Sequence, residues 1–238
     1  MSLQRTSFYL KPKSTAWFLS YILIFLIIAQ IAGLIMHYRL GHGSVFGLIR
    51  LFDFNTEQNI PTLFNTILFI LNAILFFLIW KAGGTGKKGR WIWLFISFIL
   101  LFLALDEFCE IHENLSAPFH EKFDTSGLLY YAWVIPYGIA AILVLLFFVP
   151  VWWKMGKRIR LLFAISVVMY FTGAVIFEMF GGREFEQLGD QLDLKCCLLA
   201  TVEETLEMGG MILLIYTLMK LINVEFDGLS IRIGLKEA

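Results

Sequence analysis

Three short stretches concentrate the side chains able to bind a cation or move a proton. The first is Asp106-Glu107-Phe-Cys109-Glu110-Ile-His112-Glu113. The second is Glu178, followed by Gly181-Gly182-Arg183-Glu184. The third is Glu203-Glu204-Thr-Leu-Glu207-Met-Gly209-Gly210. Each helical residue turns the chain by roughly 100°, so Asp106, Glu110 and Glu113 fall within about 60° of one another. His112 sits on the Cys109 side and joins them only where the helix bends or ends. Glu203, Glu204 and Glu207 share one wedge of about 100°.

Carboxylate oxygens with one or two imidazoles suit hard or borderline cations: Ca, Mn, Mg or Fe, with Zn within range. The four histidines are His37, His42, His112 and His120, too few and too scattered for a three-His zinc site within a membrane. The Glu-x-x-His pairs of ferritin-type bundles are absent, as are a GxSxG nucleophile, a Walker loop and a dinucleotide fingerprint.

The elements that position these residues follow from composition. The chain of 238 residues is 59% hydrophobic and only 16% charged, with a mean hydropathy of +0.77. Soluble domains run near 45–50% apolar and about 25% charged. A soluble globular domain, a disordered chain and a nucleic-acid binder are therefore excluded. A helix needs roughly 20 apolar residues to cross a bilayer core of about 30 Å. Six segments qualify: 16–36, 62–80, 91–109, 129–152, 161–181 and 198–222. The expected fold is all-α, a polytopic six-helix transmembrane bundle forming one integral membrane domain over 1–238. Strand alternation is missing, which argues against a β-barrel. The apolar run of the first segment is too long for a signal peptide and reads as a retained span.

Placing the N-terminus inside puts Arg5, Lys11, Lys13, Lys81, Lys87, Lys88, Arg90, Lys154, Lys157, Arg158, Arg160, Lys220, Arg232 and Lys236 on the inner side. Only Arg39, Arg50, Lys122, Arg183 and Lys195 fall outside. The expected topology is N-in and C-in, in the cell's inner (plasma) membrane. Of the acidic residues, only Glu225, Asp227 and Glu237 are then inside. All three acidic stretches share the outer membrane level.

A carboxylate well inside a membrane is unfavourable by about 2.5–3.5 kcal/mol. Several on one face must meet a cavity, a cation or one another. The economical expectation is one outward-opening pocket lined by Asp106, Glu107, Glu110, His112, Glu178, Glu203, Glu204 and Glu207. The competing reading is acids solvated separately at helix ends, where Glu203 and Glu204 would also favour the helix dipole. Arg183 is a candidate counter-ion. Asn65 and Asn72 share a face and either hydrogen-bond across helices or line the pocket. The Gly209-Gly210 pair allows close helix approach.

In the first outer loop, the pattern of Ser44–Phe54 reads as a short amphipathic interfacial helix or a re-entrant piece. Asp53-Phe-Asn55-Thr-Glu57 resembles half a calcium loop but lacks its glycine and distal glutamate. Pro61 suits a first helical turn. Cys109, Cys196 and Cys197 lie toward the outer side, either as free thiols or with Cys109 bridged to one of the other two.

Asn59-Ile-Pro-Thr-Leu-Phe, Leu-Ala-Leu-Asp106-Glu107 with His112-Glu113, Gly173-Ala174 with Glu178, and Glu203-Glu204-x-x-Glu207-Met-Gly together resemble an uncharacterised family of bacterial multi-pass membrane proteins, over roughly residues 53–220. That resemblance implies six helices and no assigned activity. A looser resemblance, to membrane hydrolases of the alkaline ceramidase and adiponectin-receptor type, implies a metal-dependent hydrolase; those proteins use three histidines and seven helices.

Three functions follow. The first is a membrane protein whose acidic/His pocket binds a cation or protons, for transport. The second is a metal-dependent hydrolase acting on lipid or a lipid-linked substrate, with Glu107 as candidate general base. The third is a structural or assembly subunit. The expected partners are membrane lipids and no nucleic acid, with a homo-oligomer or a membrane partner subunit to be considered.

Overall fold

The computed structural model describes residues 6–8, 11–84, 89–225 and 229–231. Arg5, Lys87, Lys88, Asp227, Arg232, Lys236 and Glu237, used in the charge reading, lie outside the described residues. Among the described residues, six helices are long and apolar enough to cross a membrane. The first is α1 (Pro12–Tyr38). A single helical turn, α2 (Leu48–Leu51), follows it, and then come α3 (Ile60–Lys81) and α4 (Arg90–Cys109). The short helix α5 (Ile111–Phe123) precedes α6 (Val134–Trp153). The fifth crossing is continuous from Lys157 to Gln187, and it comprises α7 (Lys157–Phe171), a π-helical turn (Thr172–Phe177) and α8 (Glu178–Gln187). The sixth is α9 (Leu194–Glu225). Strands β1 (Thr6–Phe8) and β2 (Leu229–Ile231) pair antiparallel, so both ends of the described chain lie on the same side of the bundle.

The least apolar span forms the core. α9 packs against α1, α3, α7 and α8, and Met208, Ile215, Leu218, Leu221 and Ile222 on it are fully buried. Small and polar residues tie it to its neighbours, as expected where lipid supplies no hydrophobic drive between helices. Asn72 on α3 donates to the Leu68 and Met211 carbonyls at 3.0 and 3.1 Å. Gln30 on α1 donates to the Thr201 hydroxyl at 3.1 Å. A Cβ at Gly210 would lie 2.8 Å from the Tyr170 nitrogen and 2.9 Å from the Ser166 carbonyl oxygen. Only the missing side chain lets α7 approach so closely.

The interfacial helix expected over 44–54 is confined to Leu48–Leu51. Val45, Phe46 and Gly47 all have positive φ, which blocks helix before Leu48. Leu48 and Leu51 are exposed, whereas Phe54 is buried. At the opposite end of the bundle from the acidic stretches, Arg90 stacks over Trp80 at 5.1 Å and Arg160 over Trp153 at 4.8 Å. Such aromatic and cationic pairs suit a membrane interface.

Candidate functional site

α4 does not run on through Glu110. That residue adopts the left-handed conformation (φ 55°), caps α4 and starts α5. The break redirects His112 and Glu113 toward the side already occupied by Asp106 and Glu107. Glu110 itself does not line the resulting cavity. Its grouping with Asp106 and Glu113 on one continuous helical face is thereby corrected. The other expected residues, Asp106, Glu107, His112, Glu178, Glu203, Glu204 and Glu207, all line one cavity of about 870 Å³.

Asp106 works through its neighbours. Its Oδ1 accepts from the Tyr137 hydroxyl at 2.7 Å, and its Oδ2 meets His112 Nδ1 at 3.0 Å. Both oxygens are engaged, so Asp106 fixes the His112 ring and directs Nε2 away from itself. This is the arrangement in which a carboxylate orients a metal-binding imidazole. Trp133 packs edge-on to the same ring at 4.8 Å. Burial works against the imidazolium form, yet the Asp106 hydrogen bond and the charges of Asp106, Glu107 and Glu178 outweigh it. They lift His112 to about 9.

Glu57 completes the centre. Asn59 donates to the Asp53 and Thr56 carbonyls, both at 2.6 Å, and caps α3 by accepting from the Thr62 nitrogen at 3.1 Å. Asn55 N–H donates to Asp53 Oδ1 at 3.0 Å. The stretch that resembles half a calcium loop thus acts as a capping loop. It delivers Glu57, held by the Thr62 hydroxyl at 3.0 Å, to the cavity wall. Burial and the charges of Glu107 and Glu113 push Glu57 up to about 8, against the opposing effects of Thr62 and His112. Burial likewise raises Glu113.

Two sets of potential ligand atoms result, Glu57/Glu107/Glu204 and Glu57/His112/Glu113. Within each set all the atoms lie within 4.8 Å of one another. The first offers only oxygen, the second oxygen and one nitrogen, and Glu57 belongs to both. Asn65, completely buried, donates to Glu107 Oε1 at 3.0 Å. Among the described residues, its own Oδ1 has no hydrogen-bond partner, and neither does the buried Oε2 of Glu204. Glu178 accepts from the Trp133 indole at 2.9 Å, and Glu203, beside Glu204, and Glu207, about one turn further along α9, line the same cavity.

Among the described residues, no Lys or Arg lines this cavity. Arg183, the expected counter-ion, is exposed and lines a separate small cavity with Glu184 and Lys195. The cause is angular: Gly182 faces Tyr131, and the next residue on α8 points roughly 100° away. Cys109, Cys196 and Cys197 are all free thiols, Cys109 exposed and the other two buried.

The close approach of Glu203 and Glu207 to the fifth crossing depends on Gly173. A Cβ there would lie 2.6 Å from the Glu203 carbonyl oxygen and 2.9 Å from Glu207 Cγ. Gly173 is the second residue of the π-helical turn, a distortion often found at functional sites. Sequence reasoning left Glu57, Glu113 and Tyr137 out of the candidate centre, whereas the cross-helix hydrogen bond expected of Asn65 is present. The available signal was the alternating oxygen ligands at 53–57.

No curated protein and no solved structure matches this chain. Residues 13–221 match a single family description across nearly the whole of the six-helix unit. The chain therefore belongs to the family described as Domain of unknown function (DUF8692).

Proposed function

We propose that this membrane protein holds a divalent cation between Glu57, Glu107, Glu204, His112 and Glu113, and uses it for hydrolytic chemistry on a molecule in the cavity. The observation that carries this reading is the meeting of four carboxylates and one oriented imidazole, from the 53–59 loop, α4, α5 and α9, with no Lys or Arg in the wall among the described residues. Bare carboxylates crowded at low dielectric are untenable. A cation relieves them, and oxygen ligands with one imidazole favour Mn, Mg, Ca or Fe, with Zn also accommodated.

If bound there, such a cation would supply an acidified water. Glu207 or Glu178, which line the same cavity outside the two ligand sets, would hold the proton released as that water attacks. The same carboxylate would return that proton to the leaving group as the substrate bond breaks. Glu107, expected as general base, is better placed as a ligand. Transport is less well supported, because the wall toward the opposite side of the membrane is apolar, with Phe76, Leu100, Phe148 and Phe163. We place the centre at the outer face of the inner membrane with both termini inside, on the distribution of Lys and Arg.

Elemental analysis of the detergent-purified protein tests the reading. Wild type should carry a stoichiometric divalent metal, and Glu57→Gln, which touches both ligand sets, should lose it. Metal-free wild type, reconstituted with Mn, Mg, Ca, Fe and Zn in turn and binding none of them, would overturn it.

A further inference from the structure

The cavity has two chemistries stacked one above the other. Its outer end is the carboxylate centre, and its lower walls are Phe76, Ile96, Leu100, Phe148 and Phe163 from α3, α4, α6 and α7. About 870 Å³ is within the roughly 300–1,000 Å³ of pockets that enclose whole small molecules. Protein interiors do not keep voids of this size, and apolar ones exclude water. In a bilayer the available filler is hydrocarbon.

An entrance exists on the lipid-facing side. α6 approaches α4 at only a few positions along its length, and only Val134, Phe148 and Val151 of α6 are buried. Phe95 and Phe102 on α4 line the cavity and yet are half exposed on the outer surface of the bundle. Ala140 on α6 does the same, and Gly138 and Ala141 beside it are small. The wall between these helices is therefore thin and open to the membrane core.

We propose that the lower cavity takes the acyl chain of a membrane lipid, which enters sideways between α4 and α6 and brings its head group to the carboxylate centre. The fate of the head group rests on the cation reading; the chain pocket rests on its own walls.

The test uses the full-length protein in phosphatidylethanolamine/phosphatidylglycerol vesicles with a trace of phospholipid bearing a diazirine at its chain end. After irradiation, labelled residues are mapped by mass spectrometry. Leu100, Phe148 and Phe163 are buried and should be labelled only if a chain enters. Phe98 and Phe147 face lipid and serve as internal controls. Ala141→Trp should cut inner labelling at least fivefold and leave the controls unchanged. Glu57→Gln should keep the inner labelling while losing metal, so failure of the cation reading stays distinguishable. Labelling confined to Phe98 and Phe147 in wild type, or inner labelling indifferent to both Ala141→Trp and Gly138→Trp, would overturn the proposal.

Discussion

His112 Nδ1 lies 3.0 Å from Asp106 Oδ2, across the helix break that Glu110 creates between them. The pair sets the direction of the imidazole, and Tyr137 holds the other Asp106 oxygen. Asp106 touches the proposed cation only through His112.

Asp106→Asn keeps the volume and removes the charge that orients His112. Loss of such a supporting partner typically costs about 10–100-fold in metal affinity. Titration of metal-free protein with Mn should show a weakening in that range, and Tyr137→Phe a smaller one in the same direction. Unchanged affinity in both variants would remove Asp106 from the positioning role.

Proton and cation compete for the same centre. Glu57 is raised from 4.5 to about 8 and His112 from 6.5 to about 9. Folded protein without metal therefore keeps protons that the unfolded chain has released. Its stability from these groups is complete below the unfolded values and is lost as pH rises through about 8 and 9. Cation binding must displace those protons and strengthens over the same interval. Thermal unfolding in detergent should show a falling midpoint from pH 6 to 9 with chelator, and a metal-induced upshift that grows with pH. A metal-induced upshift of constant size from pH 6 to 9 is the contrary result.

The two adjacent glycines of α9 should behave differently. A Cβ at Gly210 meets the backbone of Ser166 and Tyr170 under 3.0 Å, whereas one at Gly209 meets only the tip of Met169 at 3.2 Å. Gly210→Ala forces α7 from α9 and should cost about 1–3 kcal/mol, as overpacking does. Gly209→Ala should be nearly neutral, since a methionine end can turn aside. Unfolding of both variants in detergent checks the difference. Equal midpoints would show that α7 is free to move.

Much of this was legible in the residues. Each apolar segment of about 20 residues is a helix, because backbone polar groups in lipid must bond within the segment. Asp106, Glu107, Glu178, Glu203, Glu204 and Glu207 line one space because burying them separately is too unfavourable. Glu57 was hidden for a physical reason. Its position depends on Asn59 folding the 53–59 loop back on itself, and loops carry no period to read. The break at Glu110 was equally opaque, since neither glycine nor proline marks it and only the left-handed backbone reveals it. Arg183 misled because sequence proximity to Glu178 says nothing about its angle around the helix.

The π-helical turn at Thr172–Phe177 fits one more residue into the fifth crossing than regular winding would hold. Deleting a single residue there would straighten the coil and spin everything downstream by about 100°. Glu178 would swing off Trp133 while the deeper half of the helix kept its seat. The irregularity thus acts as a phase adjuster, letting one rod answer two partners whose angular demands no uniform screw could meet.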